Sequence, residues 1–246
     1  MNAANLLLPI IAGLIGAGLG IYLRGKITRD VKILLAFSGA YLLGLTLLHL
    51  LPEIYAHDST RASYFILTGF LLQLLLDYFS KGIEHGHLHL SDQKLGTFPL
   101  GIFLSLCLHS FIEGMPLAGF GHDHSHAGHS HETSSPYAFL LGIAVHKIPE
   151  ALALAALLYH HFQKKSKVFA YIAVYTLCTP VGLLVGEWLT QGSAEAEQVY
   201  ADLLAVAVGI FLHVSTTIIF EADEHHRINY KKILAILAGL GLVFLM

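Results

Sequence analysis

His109-Ser110-Phe111-Ile112-Glu113-Gly114 lies deep inside one apolar run of the chain, and His146-Lys147-Ile148-Pro149-Glu150 lies deep inside the next. Each stretch sets a histidine and a glutamate four residues apart, within a run long enough to cross a bilayer. On a helix that spacing points both side chains to one face. Ionisable groups at membrane depth are costly, so their presence marks a functional site. Two such pairs on neighbouring helices bring two imidazoles and two carboxylates to one point. That donor set suits zinc or another first-row divalent metal.

The surrounding composition agrees with a membrane setting. Hydrophobic residues make up 55% of the 246 residues and charged residues 13%, about half the share usual in globular proteins. Eight apolar segments follow one another: 5–23, 33–54, 63–80, 97–119, 137–159, 168–190, 199–220 and 230–246. Most match the roughly 20 helical residues needed to cross about 30 Å of hydrocarbon. The last is short after Lys232, and Lys231 and Lys232 extend it by snorkelling to the interface. The expectation is an all-α integral membrane protein, a single multi-pass domain over 1–246 with eight transmembrane helices. No positive charge precedes Leu6–Leu23, so this stretch reads as a first span rather than a signal peptide.

Basic residues give the orientation. Connections 24–32, 81–96, 160–167 and 221–232 hold twelve lysines and arginines, whereas 55–62, 120–136 and 191–198 hold only Arg61. By the positive-inside rule both termini are extracytoplasmic, in a cell (inner) membrane. Segments 1–3 and 6–8 then enter from opposite sides, which divides the chain into three, two and three helices with inverted outer triplets. Inverted repeats place a transport site at the midplane. The middle pair carries both motifs, and antiparallel packing sets His109 level with Glu150 and Glu113 level with His146. Pro116 and Pro149 each deprive a carbonyl, Ile112 and Val145, of its helical donor beside this centre. Gly13, Gly16, Gly18, Gly20, Gly39, Gly44, Gly182 and Gly186 read as close-packing positions. Cys107 and Cys178 lack CxxC spacing and read as small buried hydrophobes.

Segments 4 and 5 resemble the ZIP (ZRT/IRT-like) divalent metal transporters. Members of that family carry H-N/S-x-x-E-G on the fourth helix, as His109, Ser110, Glu113 and Gly114 do here. The fifth-helix pattern is met by His146, Lys147, Pro149 and Glu150. The resemblance extends to His49-Leu50-Leu51-Pro52-Glu53 and to a histidine-rich loop after segment 3. It implies transport of Zn²⁺, often with Fe²⁺, Mn²⁺ or Cd²⁺, towards the cytoplasm on a 3+2+3 bundle, without a resident cofactor or enzymatic activity. The expected partners are divalent metal ions and the lipid bilayer, with a homodimer left open and no nucleic acid. Some members hold two metals side by side. At the positions that build their second site, this chain has Ser110, Lys147 and Thr179. The expectation is one metal, with the Lys147 ammonium standing in for a second cation and pairing with Glu113 or Glu150.

Histidines elsewhere divide by side. His122, His124, His126, His129 and His131 face outward and are suited to ion capture; His85, His87, His89, His225 and His226, with His160 and His161, face inward and are suited to release or sensing. His49, Asp77 and His213 are candidate pathway residues, as are Gln73 and Asp202; Glu53, Glu187 and Glu221 sit at segment ends. No H-E-x-x-H occurs, which excludes the commonest metalloprotease pattern. A metal exporter of another family and a non-transporting membrane metal sensor remain as alternatives, both built from the same ligand types.

Overall fold

The computed structural model describes residues 3–23, 29–56, 58–82, 99–119, 136–191, 195–220 and 230–245. Among these residues the chain is entirely helical and forms no strand. A backbone in hydrocarbon must satisfy every N–H and C=O internally, and in an open chain the helix does so. The helices are α1 (Ala3–Tyr22), α2 (Arg29–Leu45), α3 (Ser59–Ser80), α4 (Leu100–Gly114), α5 (Pro136–Phe162), α6 (Lys165–Thr190), α7 (Ala196–Phe220) and α8 (Tyr230–Val243). Among the described residues, seven spans are long and apolar enough to cross a membrane. The eighth helix is present where expected, but its 14 residues reach only about 21 Å, short of a full crossing on their own.

Helix ends follow local chemistry. Asp58 caps α3, its carboxylate accepting the N–H groups of Thr60 and Arg61 at 3.0 Å each. At the other end Lys81 turns into the left-handed region with φ 55° and donates its N–H to Asp77 O at 2.8 Å. Helix α2 runs on through a π-helical turn, Thr46–Leu50, and a last α turn, Leu51–Tyr55. Pro52 follows the wide turn closely, and Leu51 N–H reaches back to Thr46 O. Wide turns of this kind relieve a proline in a helix and occur often at functional sites.

The two prolines of the motifs behave differently from each other. Helix α5 continues through Pro149 without a break. Helix α4 ends at Gly114 and tightens into a 3₁₀ turn, Met115–Ala118. There Met115 N–H donates to Ile112 O, so the carbonyl that Pro116 deprives of its usual donor is satisfied from one residue nearer.

Packing pairs α1 with α5, α2 with α8, α3 with α7 and α4 with α6 most extensively. Glycine makes the first and last of these intimate. Gly16 and Gly20 lie against the carbonyls of Ile148 and Leu152, and Gly182 and Gly186 lie against those of Phe111 and Met115. A Cβ at any of the four would collide with backbone. Gly69 meets the Val206 carbonyl and Gly239 the Phe37 carbonyl in the other two pairs. Gly18 has open space around its Cβ direction, so the packing account does not extend to it.

These contacts carry the symmetry expected of inverted triplets. In each pair residue numbers rise together, so the partners run parallel, odd with odd and even with even. Exchanging α1 with α6, α2 with α7, α3 with α8 and α4 with α5 maps the four pairings onto themselves. The correspondence extends to residues, because Ile148 follows His146 by the same step as Phe111 follows His109. No similarity between the triplets is visible in their side chains, but the backbone contacts repeat. At the centre, α5 is the most enclosed span and α3 the least.

Candidate metal centre

Helix α4 contributes His109, Ser110 and Glu113 and helix α5 contributes His146, Lys147 and Glu150; all six are fully buried. The i, i+4 spacing places each histidine above its own glutamate, as the sequence predicts. The His109 and His146 rings face each other edge to face with centroids 6.1 Å apart. Ligand atoms of His109, His146 and Glu150 all lie within 4.8 Å of one another, a separation that a single ion can bridge.

Lys147 organises the other half of the centre. Its ammonium donates to Glu113 Oε2 at 2.6 Å, to Ser110 Oγ at 2.8 Å and to Glu150 Oε2 at 3.0 Å. It also lies 5.2 Å from the centroid of the Tyr175 ring on α6, within range of a cation–π attraction. Ser110 Oγ is 3.0 Å from Thr179 Oγ1, which ties α4 to α6 at the same level. The three positions at which the chain departs from the two-metal pattern, Ser110, Lys147 and Thr179, thus form one connected polar chain.

Both glutamates divide their oxygens in the same way. Each gives Oε2 to Lys147, while Oε1 of Glu113 and Oε1 of Glu150 make no well-formed hydrogen bond among the described residues, the Tyr175 hydroxyl lying beside the Glu150 carboxylate. Glu113 Oε1 is 3.7 Å from His109 Nε2. Among the described residues both ring nitrogens of His146 also make no hydrogen bond. A buried polar atom without a partner costs about 1–3 kcal/mol, and several converging on one point is a pattern that needs a reason. Two carboxylates against one ammonium leave a formal excess of negative charge. Imidazole lone pairs and that excess suit a divalent cation. Glu113 does not belong to the closely spaced trio; it is drawn towards Lys147 instead.

The other candidates lie elsewhere. His49 is half-buried in the π-helical turn of α2, Asp77 lies at the end of α3 near Ser80 Oγ, and His213 packs against the Phe70 ring at 5.1 Å. None belongs to the closely spaced group. Asp202 is held by Arg61, which donates to its two oxygens at 2.9 and 2.6 Å and so joins α3 to α7. Cys107 and Cys178 are free thiols and half-buried rather than buried. His160 and His161 end α5, with His161 edge-on to Phe162 at 4.7 Å. His85, His87, His89, His122, His124, His126, His129, His131, His225 and His226 lie outside the described residues.

Two participants in the centre were hidden from sequence reasoning in different degrees. Gln73 is visible as an amide in an apolar run, but its contact, His109 Nδ1 at 2.9 Å, is not. Tyr175 gives no signal, being one of eleven tyrosines in a chain rich in them.

No curated protein matches the chain at a significant level. The family description "ZIP Zinc transporter" matches residues 81–246, more than half of the sequence, and that region contains both motifs and all six residues of the centre. With an all-helical membrane architecture and a buried His/Glu group at its core, the chain belongs to the ZIP zinc transporter family.

Proposed function

We propose that the protein carries zinc, or a related divalent ion such as Fe²⁺, Mn²⁺ or Cd²⁺, across the membrane towards the cytoplasm, one ion per cycle, through His109, Glu113, His146 and Glu150. The observation that carries this reading is the buried cluster of His109, His146 and Glu150 ligand atoms within 4.8 Å of one another, with both His146 nitrogens making no hydrogen bond among the described residues. Desolvated donors of that kind gain most from an ion that can take several of them at once.

His109, His146 and Glu150 are spaced to receive the ion first. Glu113 completes the set when the incoming charge competes with Lys147 for its carboxylate. The lysine keeps the empty centre from holding two uncompensated acids, and its presence where relatives place a second cation supports a count of one. The bias of basic residues towards four connections supports extracytoplasmic termini. The exchange symmetry of the helix pairs supports alternating access, with α4 and α5 moving against the outer triplets.

Zn²⁺ uptake into proteoliposomes tests the reading. The native chain is expected to accumulate the ion, and His146→Ala and Glu150→Ala are expected to lose most of that flux. Undiminished uptake in both variants would remove the centre from the pathway. Binding without flux in the native chain would make the protein a sensor. Competition by Fe²⁺, Mn²⁺ and Cd²⁺ in the same assay ranks its cargo.

A further inference from the structure

Helix α3 is the least enclosed span, and its buried residues form a narrow stripe, Ala62, Gly69, Gln73, Leu76 and Ser80. Gln73 is the long polar side chain of that stripe, and it is fully buried. An amide at membrane depth costs free energy unless it finds a partner. Its partner is the imidazole of His109, whose Nδ1 lies 2.9 Å from Gln73 Oε1. One turn away, Ser105 Oγ donates to Leu76 O at 2.6 Å, which fixes α4 against α3 and holds this amide at a set height.

A neutral imidazole has one N–H and one lone pair, and an acceptor at one nitrogen decides which is which. With the amide oxygen at Nδ1, the proton resides there and the lone pair is on Nε2. Nε2 is the nitrogen on the Glu113 side of the ring, 3.7 Å from Oε1. We infer that Gln73 is a positioning residue for the metal centre, holding His109 in the Nδ1–H form so that Nε2 is presented to the ion. The inference rests on the reading of His109 as a ligand. It gives α3, which supplies no residue to the closely spaced group, a part in loading the site. Partners of this kind orient ligating histidines and raise their basicity, and their removal typically lowers metal affinity about 10–100-fold.

Two measurements on the full chain test it. The first uses no metal. Nitrogen NMR of ¹⁵N-histidine-labelled protein, with the His109 signal assigned by its loss in His109→Gln, is expected to show a protonated Nδ1 in the native chain and a mixture of tautomers in Gln73→Leu. A protonated Nε2 in the native chain, or an unchanged spectrum in Gln73→Leu, overturns the inference. The second is Zn²⁺ uptake into proteoliposomes. Gln73→Leu is expected to raise the half-saturating concentration about 10–100-fold, with a much smaller change in maximal rate. Gln73→Glu keeps an acceptor of the same reach and is expected to retain both the tautomer and near-native half-saturation. If Gln73→Leu does not fold, Gln73→Glu decides alone, because a loss of the Nδ1–H form there contradicts the inference. Native uptake in His109→Ala would instead refute the ligand reading and leave the tautomer result standing.

Discussion

Lys147 and Glu113 sit 2.6 Å apart, ammonium to carboxylate, in a place where both side chains are almost wholly shielded from solvent. The pair joins α5 to α4 directly through the centre. Breaking a buried pair by removing one partner costs about 3–5 kcal/mol, because the other charge stays behind. Lys147→Met is therefore expected to lower the thermal stability of the metal-free protein in detergent, and Zn²⁺ is expected to recover more stability in the variant than in the native chain. Equal melting of the two metal-free proteins would show that the ammonium is not offsetting the acids.

Replacing the same lysine with a carboxylate changes the expected count of ions. In a background lacking residues 122–131, the native centre is expected to hold one Zn²⁺ and Lys147→Asp two, measured as metal per protein by mass spectrometry. Two ions in the native background would contradict the role given to Lys147.

The glycine seams predict a contrast within one helix. A Cβ at Gly16 would collide with the Ile148 carbonyl, whereas one at Gly18 meets nothing within 4 Å. Gly16→Ala is expected to cost about 1–3 kcal/mol by forcing α1 off α5, and Gly18→Ala to stay within about 0.5 kcal/mol of native. Thermal unfolding in detergent reads both. Similar losses at the two sites would place the close approach elsewhere.

Arg61 and Asp202 form a two-pronged ion pair across α3 and α7, with Gln198 Nε2 also donating to Asp202 Oδ1 at 3.2 Å. Charge reversal at either position is expected to lower the melting temperature, and the combined swap, Arg61→Asp with Asp202→Arg, to recover much of it. Half-saturation for Zn²⁺ is expected to remain native in the swap, since neither residue belongs to the closely spaced group.

Acid opposes loading. Histidine and glutamate coordinate only when deprotonated, so each proton gained removes a ligand and metal binding releases protons. The half-saturating Zn²⁺ concentration is expected to rise as external pH falls, because protons and the ion compete for the same donor atoms. A flat profile would argue against imidazole ligands.

The spans, their order and the paired motifs were legible because hydropathy, basic residues and a four-residue spacing are local properties. His109, His146 and Glu150 lie within 4.8 Å of one another, and Lys147 bonds both glutamates. What depth does not tell is which side of an apolar helix faces protein, since lipid tails are as apolar as leucine. Gln73 was therefore noticed without its partner, and Tyr175 was missed. Lys147 was expected to pair with Glu113 or Glu150, and it bonds both, more closely to Glu113 on the other helix. Asp202 read as a pathway acid because Arg61, far away in the chain, is its neighbour only after folding.

The repeated glycine contacts have a mechanical consequence. Interlocking side chains behave like gear teeth, and sliding one helix past another then means climbing over each tooth. At Gly16 and Gly20 against α5, and at Gly182 and Gly186 against α4, the teeth are absent and backbone lies on backbone. The two motif helices are thus each seated on a smooth bearing, one on either side of the candidate metal centre. Such bearings resist being pulled apart far more than being slid along.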